Sequence, residues 1–414
     1  MIPRILLSSV LLTCFIPHLT MASIPYSEDL AFLRQHTDII ELSDGKSRVA
    51  IAPKWQARVV TSTTDHESGP SFGWIKRDII AAGIKPEEHR VGLQKHIHIF
   101  GGEERFWLGP EGGPFALFFP PKVPQTFENW KTPALLDTEA FVSTEPPTAT
   151  SASFRKEASL TNRAGTTFNL GIERTIRLLS PCRTTALLDL PDTNDLSVLA
   201  YESENSVKNT GTNAWTRESG APSIWMLGMF PPSPRTTIVI PLRNAPGAPA
   251  PNTHYLGFDP IPGDRIKVSG NTLFFKGDGK VRGKLGVTEA RGKGIAGSWQ
   301  PEDGVLTLVL LPGPTLTTDG KTPVFVDSQW RDDGDPFAGD QINSYNDGPP
   351  EPGAAQLGPF YELETSSPAL FLAPGSSHTH TQVTMHLTGD RKALDNIARQ
   401  TLGVSLDAIE SALP

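Results

Sequence analysis

An all-β body is expected of this chain on three counts. Glycine and proline are abundant, 37 and 38 of 414 residues, and both weaken helix interiors while suiting the turns between short strands. Runs of Val, Ile, Phe and Thr recur between those turns along most of the length. More than a dozen such runs can be counted, and a single sheet of that size curls or splits into packed layers. A large antiparallel sandwich with a few short peripheral helices is the expectation.

The elements follow in order. Met1–Arg4 gives a short positive start, Ile5–Ile16 is mostly apolar, and Thr20-Met21-Ala22-Ser23 offers small residues for cleavage, so residues 1–23 read as a secretory signal peptide. The apolar run is too short to span a bilayer and no later stretch approaches the ~20 apolar residues needed; the mature chain is expected to be secreted or periplasmic, with no membrane span. Thr13 before Cys14, and an apolar run continuing past it, argue against a lipoprotein box. Removal of Cys14 leaves Cys182 alone, expected as a small buried residue.

Ser27–His36 carries a capping Ser, early acids and Leu30, Phe32 and Leu33, a helical pattern. Strands are predicted at Arg48–Ala52, Ala57–Thr61, Val91–Phe100 and Phe115–Phe119, interrupted by helical spacing at Trp74–Ala82 that stops at Gly83. Strand patterns resume at Ala152–Leu160, Thr167–Leu179, Leu196–Ser203, Ser223–Met229, Thr236–Pro241, Val305–Leu311, Pro323–Gln329, Gly358–Glu364 and Thr379–Leu387. Ser143–Ser153, Asn244–Asn252 and Arg331–Gly353 read as long loops rather than interdomain linkers, since composition is the same on either side. Asp390–Leu402 closes with an amphipathic helix before Gly403. Residues 24–414 are therefore expected to form one domain.

A net charge of −8 and a pI near 5.7 offer no basic surface for a polyanion, so nucleic acid is not an expected partner. There is no P-loop, no G-x-G-x-x-G after a strand, no H-E-x-x-H and no G-x-S-x-G. Gly277-Asp278-Gly279-Lys280 reads as a hairpin turn. No cofactor is expected.

Two segments concentrate chemistry. In His96–Gly113, HIHIFGGEERFWLGPEGG, a strand would place His96 and His98 on one face, and Gly101-Gly102 would allow a sharp turn or close approach. Glu104, Arg105, Trp107 and Glu111 follow as candidate substrate contacts, against the alternative of a surface ion pair and a core aromatic. In Gly358–His380, Glu362 and Glu364 lie two apart on a strand and share a face, and His378 and His380 repeat the arrangement. A carboxyl on an interior face must be paired or functional; on the outer face it is merely exposed. The two His-x-His pairs, if brought together, would suit a metal-dependent enzyme. Asn346 and Asp347, in NSYNDG, are further candidate ligand contacts or else plain turn residues. Scattered Trp residues near a groove would suit a sugar, whose C–H face rests on a ring while its hydroxyls seek carboxylates and amides.

YELETSSPALFLAPGSSHTHTQVTMHL, with Glu364-Thr365 and Leu372-Ala373-Pro374-Gly375, resembles the closing strands of the galactose mutarotase-like superfamily, which includes the aldose 1-epimerases. FGGEERFWLGPEGG, NTGTNAW and VRGKLGV resemble an uncharacterised secreted bacterial family near that superfamily. The resemblance implies a β-supersandwich and a mono- or oligosaccharide partner. It also implies general acid/base chemistry on a sugar, with Glu364 as base and His96 or His98 as acid. In the mutarotases the His directly precedes Gly-Gly; here Ile99 and Phe100 intervene. A non-catalytic glycan-binding module on the same scaffold is the alternative, because function resides in the site and not in the fold.

Overall fold

The computed structural model describes residues 24–188, 196–313, 322–351 and 353–414. The expected leader, residues 1–23, lies outside the described residues. Among the described residues strands dominate, and those that pair in ladders run antiparallel, in sheets of three, ten and five strands. The long sheet runs in the order Ile266–Ser269, Thr272–Lys276, Thr237–Pro241, Ile295–Gln300, Val305–Leu310, Ser377–Gly389, Leu196–Asn209, Thr167–Leu178, Ser151–Thr161, Val142–Ser143. The shorter sheet runs Gly283–Val287, Ile342–Asn346, Tyr361–Ser366, Ser223–Phe230, Arg105–Gly109. Ile40–Ser43, Arg48–Ala52 and Arg58–Thr63 form the third sheet, joined to the second by a bridge between Val59 and Glu104.

Period-two alternation explains how the two large sheets stack. Tyr361, Leu363 and Thr365 point from the shorter sheet toward the longer: Leu363 packs in one core with Ile238 and Val309, and the Tyr361 hydroxyl meets Ser298 Oγ at 2.8 Å. The intervening Glu362 and Glu364 therefore face the other way. The far face of the long sheet is covered by the helices Arg391–Leu402 and Leu406–Glu410, whose Leu394, Ile397, Leu402 and Ile409 pack on Leu306, Leu308 and Met385. Asp390 caps the first of them by accepting from the Ala393 amide, and Gly403 ends it in the left-handed conformation.

Several expectations are corrected. Residues 91–100 form a 3₁₀ turn, Gly92–Lys95, and extended chain without ladder partners; Phe115–Phe119 and Pro323–Gln329 are also irregular. Their apolar side chains mark burial under loops, which periodicity alone does not separate from strand. The Arg331–Gly353 stretch contains the strand Ile342–Asn346, so NSYNDG is a strand end and not a turn. Gly277–Lys280 joins strands of different sheets and is no hairpin. The first helix, Tyr26–His36, starts after Pro25 without a side-chain cap. Cys182, expected buried, is exposed.

Gly101 has a structural role. Its φ is +88°, and a Cβ there would lie 2.0 Å from the Trp74 carbonyl oxygen, so only glycine lets this segment pass under the Trp74 backbone and enter the Arg105 strand.

Candidate functional site

The outward face of the shorter sheet is assembled by register. One cross-strand row holds Lys284, Tyr345, Glu362 and Met229; the adjacent row holds Asn343, Glu364, Leu227 and Arg105; a third pairs Trp225 with Trp107. Same-face side chains on paired strands stand close enough to interact, so five strands deliver two cations and two carboxylates to one patch. Loops roof this patch with Phe127, Trp130, Phe258 and Trp330, and Glu111 reaches in from the turn after the Arg105 strand. The result is a pocket open to solvent on one side, with about 530 Å³ of empty space when its open mouth is included.

Aromatic rings make its walls. Trp107 and Trp225 meet edge to face at 5.5 Å, and Trp130 stacks with Phe127 at 6.0 Å. The cations are seated on these rings: the Arg105 guanidinium lies 4.8 Å from the Trp107 centroid, Lys284 Nζ 4.4 Å from that of Trp225, and the Arg282 guanidinium 4.3 Å from that of Phe258.

Charges at the floor are paired. Arg105 donates to Glu362. Lys284 Nζ sits 3.5 Å from Glu364 Oε2 and 3.8 Å from Glu111 Oε2, while Trp225 Nε1 donates to Glu364 Oε2 at 2.8 Å. Burial lowers the proton affinity of Lys284, but the carboxylates of Glu364, Glu111 and Glu362 outweigh it and hold the ammonium above its ordinary pKa. Burial pushes Glu362 up to about 8, opposed by Arg105 and reinforced by Glu364; burial likewise raises Glu111, opposed by Lys284. At neutral pH the floor therefore holds a protonated lysine and a carboxyl disposed to keep its proton. Among the described residues, Glu364 Oε1, Glu111 Oε2, Trp107 Nε1 and Trp330 Nε1 are buried without a hydrogen-bond partner from the protein.

Of the residues singled out from sequence, Arg105, Trp107, Glu111 and Glu362 line this pocket, and Glu364 lies directly behind Trp225 and Lys284. His96 is at its margin, its ring 4.6 Å from Phe127 and its Nδ1 2.7 Å from the Trp130 carbonyl oxygen. The others are elsewhere. His98 is fully buried, held by Asp137 through Nδ1 at 2.9 Å, because the segment is not a strand and His96 and His98 do not act from one face. Glu104 alternates with Arg105 and so points between the sheets, where it pairs with Arg174 at 2.8 Å and accepts from Gln382. His380 also lies between the sheets, with Nε2 2.9 Å from the Thr365 hydroxyl and its pKa pulled down to about 3 by burial. His378 is half-buried on the same strand of the long sheet. Asn346 is spent on backbone groups, accepting from Gly279 and donating to Val281. Asp347 accepts from the Tyr345 hydroxyl at 2.7 Å and the Gly358 amide at 2.8 Å; it braces a pocket wall rather than facing a ligand. The His-x-His pairs do not meet, and among the described residues no three His, Cys, Asp or Glu side chains converge as a metal site.

Lys284, Arg282, Trp225, Tyr345 and Phe258 were not anticipated. The signal for two of them was present: in VRGKLGV the alternation puts Arg282 and Lys284 on one face, opposite Leu285 and Val287.

The molecule is thus an antiparallel β-sandwich protein with an aromatic-walled, ion-paired pocket on the outward face of its shorter sheet. The chain belongs to the DUF6786 family, a family of unknown function, whose pattern it matches over residues 24–413. No curated protein matches it in sequence. Among solved structures it is similar to a galactose mutarotase-like protein from Lactobacillus casei ATCC 334, at 12% identity and TM-score 0.47, covering 84% of this chain and 100% of that one. It is also similar to a galactose mutarotase related enzyme from Lactobacillus acidophilus, at 10% identity and TM-score 0.41, covering 85% and 97% of the two chains. A 4-alpha-glucanotransferase from Thermococcus litoralis follows at 7% identity and TM-score 0.35, covering 87% of this chain and 40% of that one.

Proposed function

We propose that this pocket binds a carbohydrate and that its carboxyls move protons on it. The observation that carries the reading is the combination of indole walls with buried carboxyls, Glu111 and Glu362 in the lining and Glu364 behind it. A pyranose presents C–H faces to rings and hydroxyls to carboxyls at the same time, which this lining satisfies.

The chemistry follows from the charges. Glu362, disposed to remain protonated near neutral pH, donates a proton to the ring oxygen. Glu111, the other carboxyl in the pocket lining, accepts the proton of the anomeric hydroxyl, in place of Glu364, which is fully buried behind Trp225 and Lys284 and fixes the lysine that Glu111 faces. Ring opening and reclosure with either configuration needs one group of each kind within reach of the sugar. Lys284 remains charged and so serves neither as a base nor as an amine nucleophile; it holds Glu364 and Glu111 in place. This arrangement replaces the histidine expected as acid, since His98 is closed off by Asp137. On the leader read from the sequence, we place the protein outside the cytoplasm.

Exchange NMR on a panel of aldoses tests the reading. Wild-type protein is expected to accelerate exchange between the α and β anomers of at least one sugar, and E362Q to abolish the acceleration. Chemical-shift changes without exchange would leave binding and remove the proton transfer.

A further inference from the structure

Arg282 stands apart from the other two cations of the pocket. Arg105 is matched by Glu362, and Lys284 by Glu364 and Glu111. Arg282 lines the same pocket from the position just before the edge strand Gly283–Val287, half-buried and seated on Phe258, yet among the described residues no carboxylate lies within ion-pair distance of it. It touches the Tyr345 hydroxyl and acts through space on Asp347 and Glu111, but Asp347 is already bonded by that hydroxyl and the Gly358 amide, and Glu111 is paired with Lys284. Arg282 stands two residues before Lys284, just ahead of the strand, and is half-buried where Lys284 is buried, so it lies nearer the solvent. A guanidinium presents a planar fork of donors suited to carboxylate, sulfate or phosphate oxygens, and held against a ring it is already oriented.

Resting on the carbohydrate reading above, we propose that the ligand is an acidic saccharide, and that Arg282 recognises its anionic group. Such a ligand meets no excess of negative charge, because three cations, Arg105, Lys284 and Arg282, stand at the pocket against three carboxyls, Glu111, Glu362 and Glu364.

Calorimetric titration of the full chain with matched sugars tests this: galactose with galacturonate, glucose with glucuronate, glucose with its 6-sulfate and its 6-phosphate. The acidic member of at least one set is expected to bind about tenfold or more tighter than its neutral counterpart, and the set that does so identifies the anion. R282Q is expected to bring that affinity down to the neutral sugar's level, and R282K to keep part of the difference. Thermal unfolding of both variants, expected near wild type, separates loss of recognition from loss of fold. Equal binding of neutral and acidic sugars, or an acidic preference unchanged in R282Q, would overturn the inference while leaving the carbohydrate reading intact. Absence of binding by every sugar would overturn both.

Discussion

Lys284 Nζ lies 3.5 Å from Oε2 of Glu364 although a third strand, Ile342–Asn346, runs between theirs. The ammonium reaches across Tyr345 and Asn343 to a carboxylate that also accepts from Trp225. Both charges are buried, with side-chain exposures of 5% and 0%. Replacing Lys284 by Met keeps the stem's bulk but strands Glu364 and Glu111, and removing one partner of a buried pair costs about 3–5 kcal/mol. K284M should therefore lower the urea midpoint by that equivalent; wild-type stability in K284M would show that the carboxyls are not held by the lysine.

Glu362 sets a pH dependence with a definite sign. Its folded-state pKa is raised, to about 8, above the ~4.3 of an unfolded chain. It therefore contributes stability that is full below about pH 4 and is lost as the pH climbs through 8. Asp347, raised to about 6 by burial, acts in the same direction over a lower range. Unfolding free energies of wild type and E362Q compared from pH 5 to pH 9 should show the wild type losing stability relative to the variant as pH rises. A difference that stays constant would mean the carboxyl is already ionised in the folded protein. By the same logic the anomeric exchange rate should fall above pH 8.

Trp330 is a half-buried wall of the pocket, so truncating it costs less stability than truncating the buried Trp107. W330A is expected to weaken sugar binding by about tenfold, the ~1.4 kcal/mol scale of an aromatic contact at a binding site. Titration calorimetry measures it, and unchanged affinity would remove Trp330 from the ligand's path.

Glu104 separates structural from functional charge. Glu104 and Arg174 form an ion pair with both side chains at 0% exposure between the sheets. E104Q should destabilise the fold by about 3–5 kcal/mol, because Arg174 is left uncompensated, while sugar affinity per folded molecule stays at the wild-type value. A selective loss of binding would put Glu104 in the site after all.

Three of the long strands were legible because their alternation is uninterrupted. Ser151–Thr161, Thr167–Leu178 and Ser377–Gly389 fall close to the runs expected from composition. Strands buried on both faces were harder to delimit, and short Gly-containing ones such as Gly283–Val287 were missed, since glycines blur a period of two. Within the site, Glu362, Glu364, Arg105 and Trp107 were visible as same-face residues near turns. What no local pattern holds is register: whether Glu104 or Arg105 points to the pocket depends on which face meets the long sheet, a property of strands far apart in sequence. His98 failed for a related reason, because the chain around it never joins a ladder.

The indole nitrogens offer the most direct test that the pocket is where a sugar sits. A proton–nitrogen correlation spectrum resolves the tryptophan side chains, each assigned by substitution with Phe. On titration with a bound saccharide, the resonances of Trp107, Trp130, Trp225 and Trp330 should move together and saturably. Those of Trp55, stacked on Phe100, and Trp299, bonded to Glu410, should stay fixed. Movement confined to tryptophans outside the pocket, with the four wall indoles unmoved, would contradict the account.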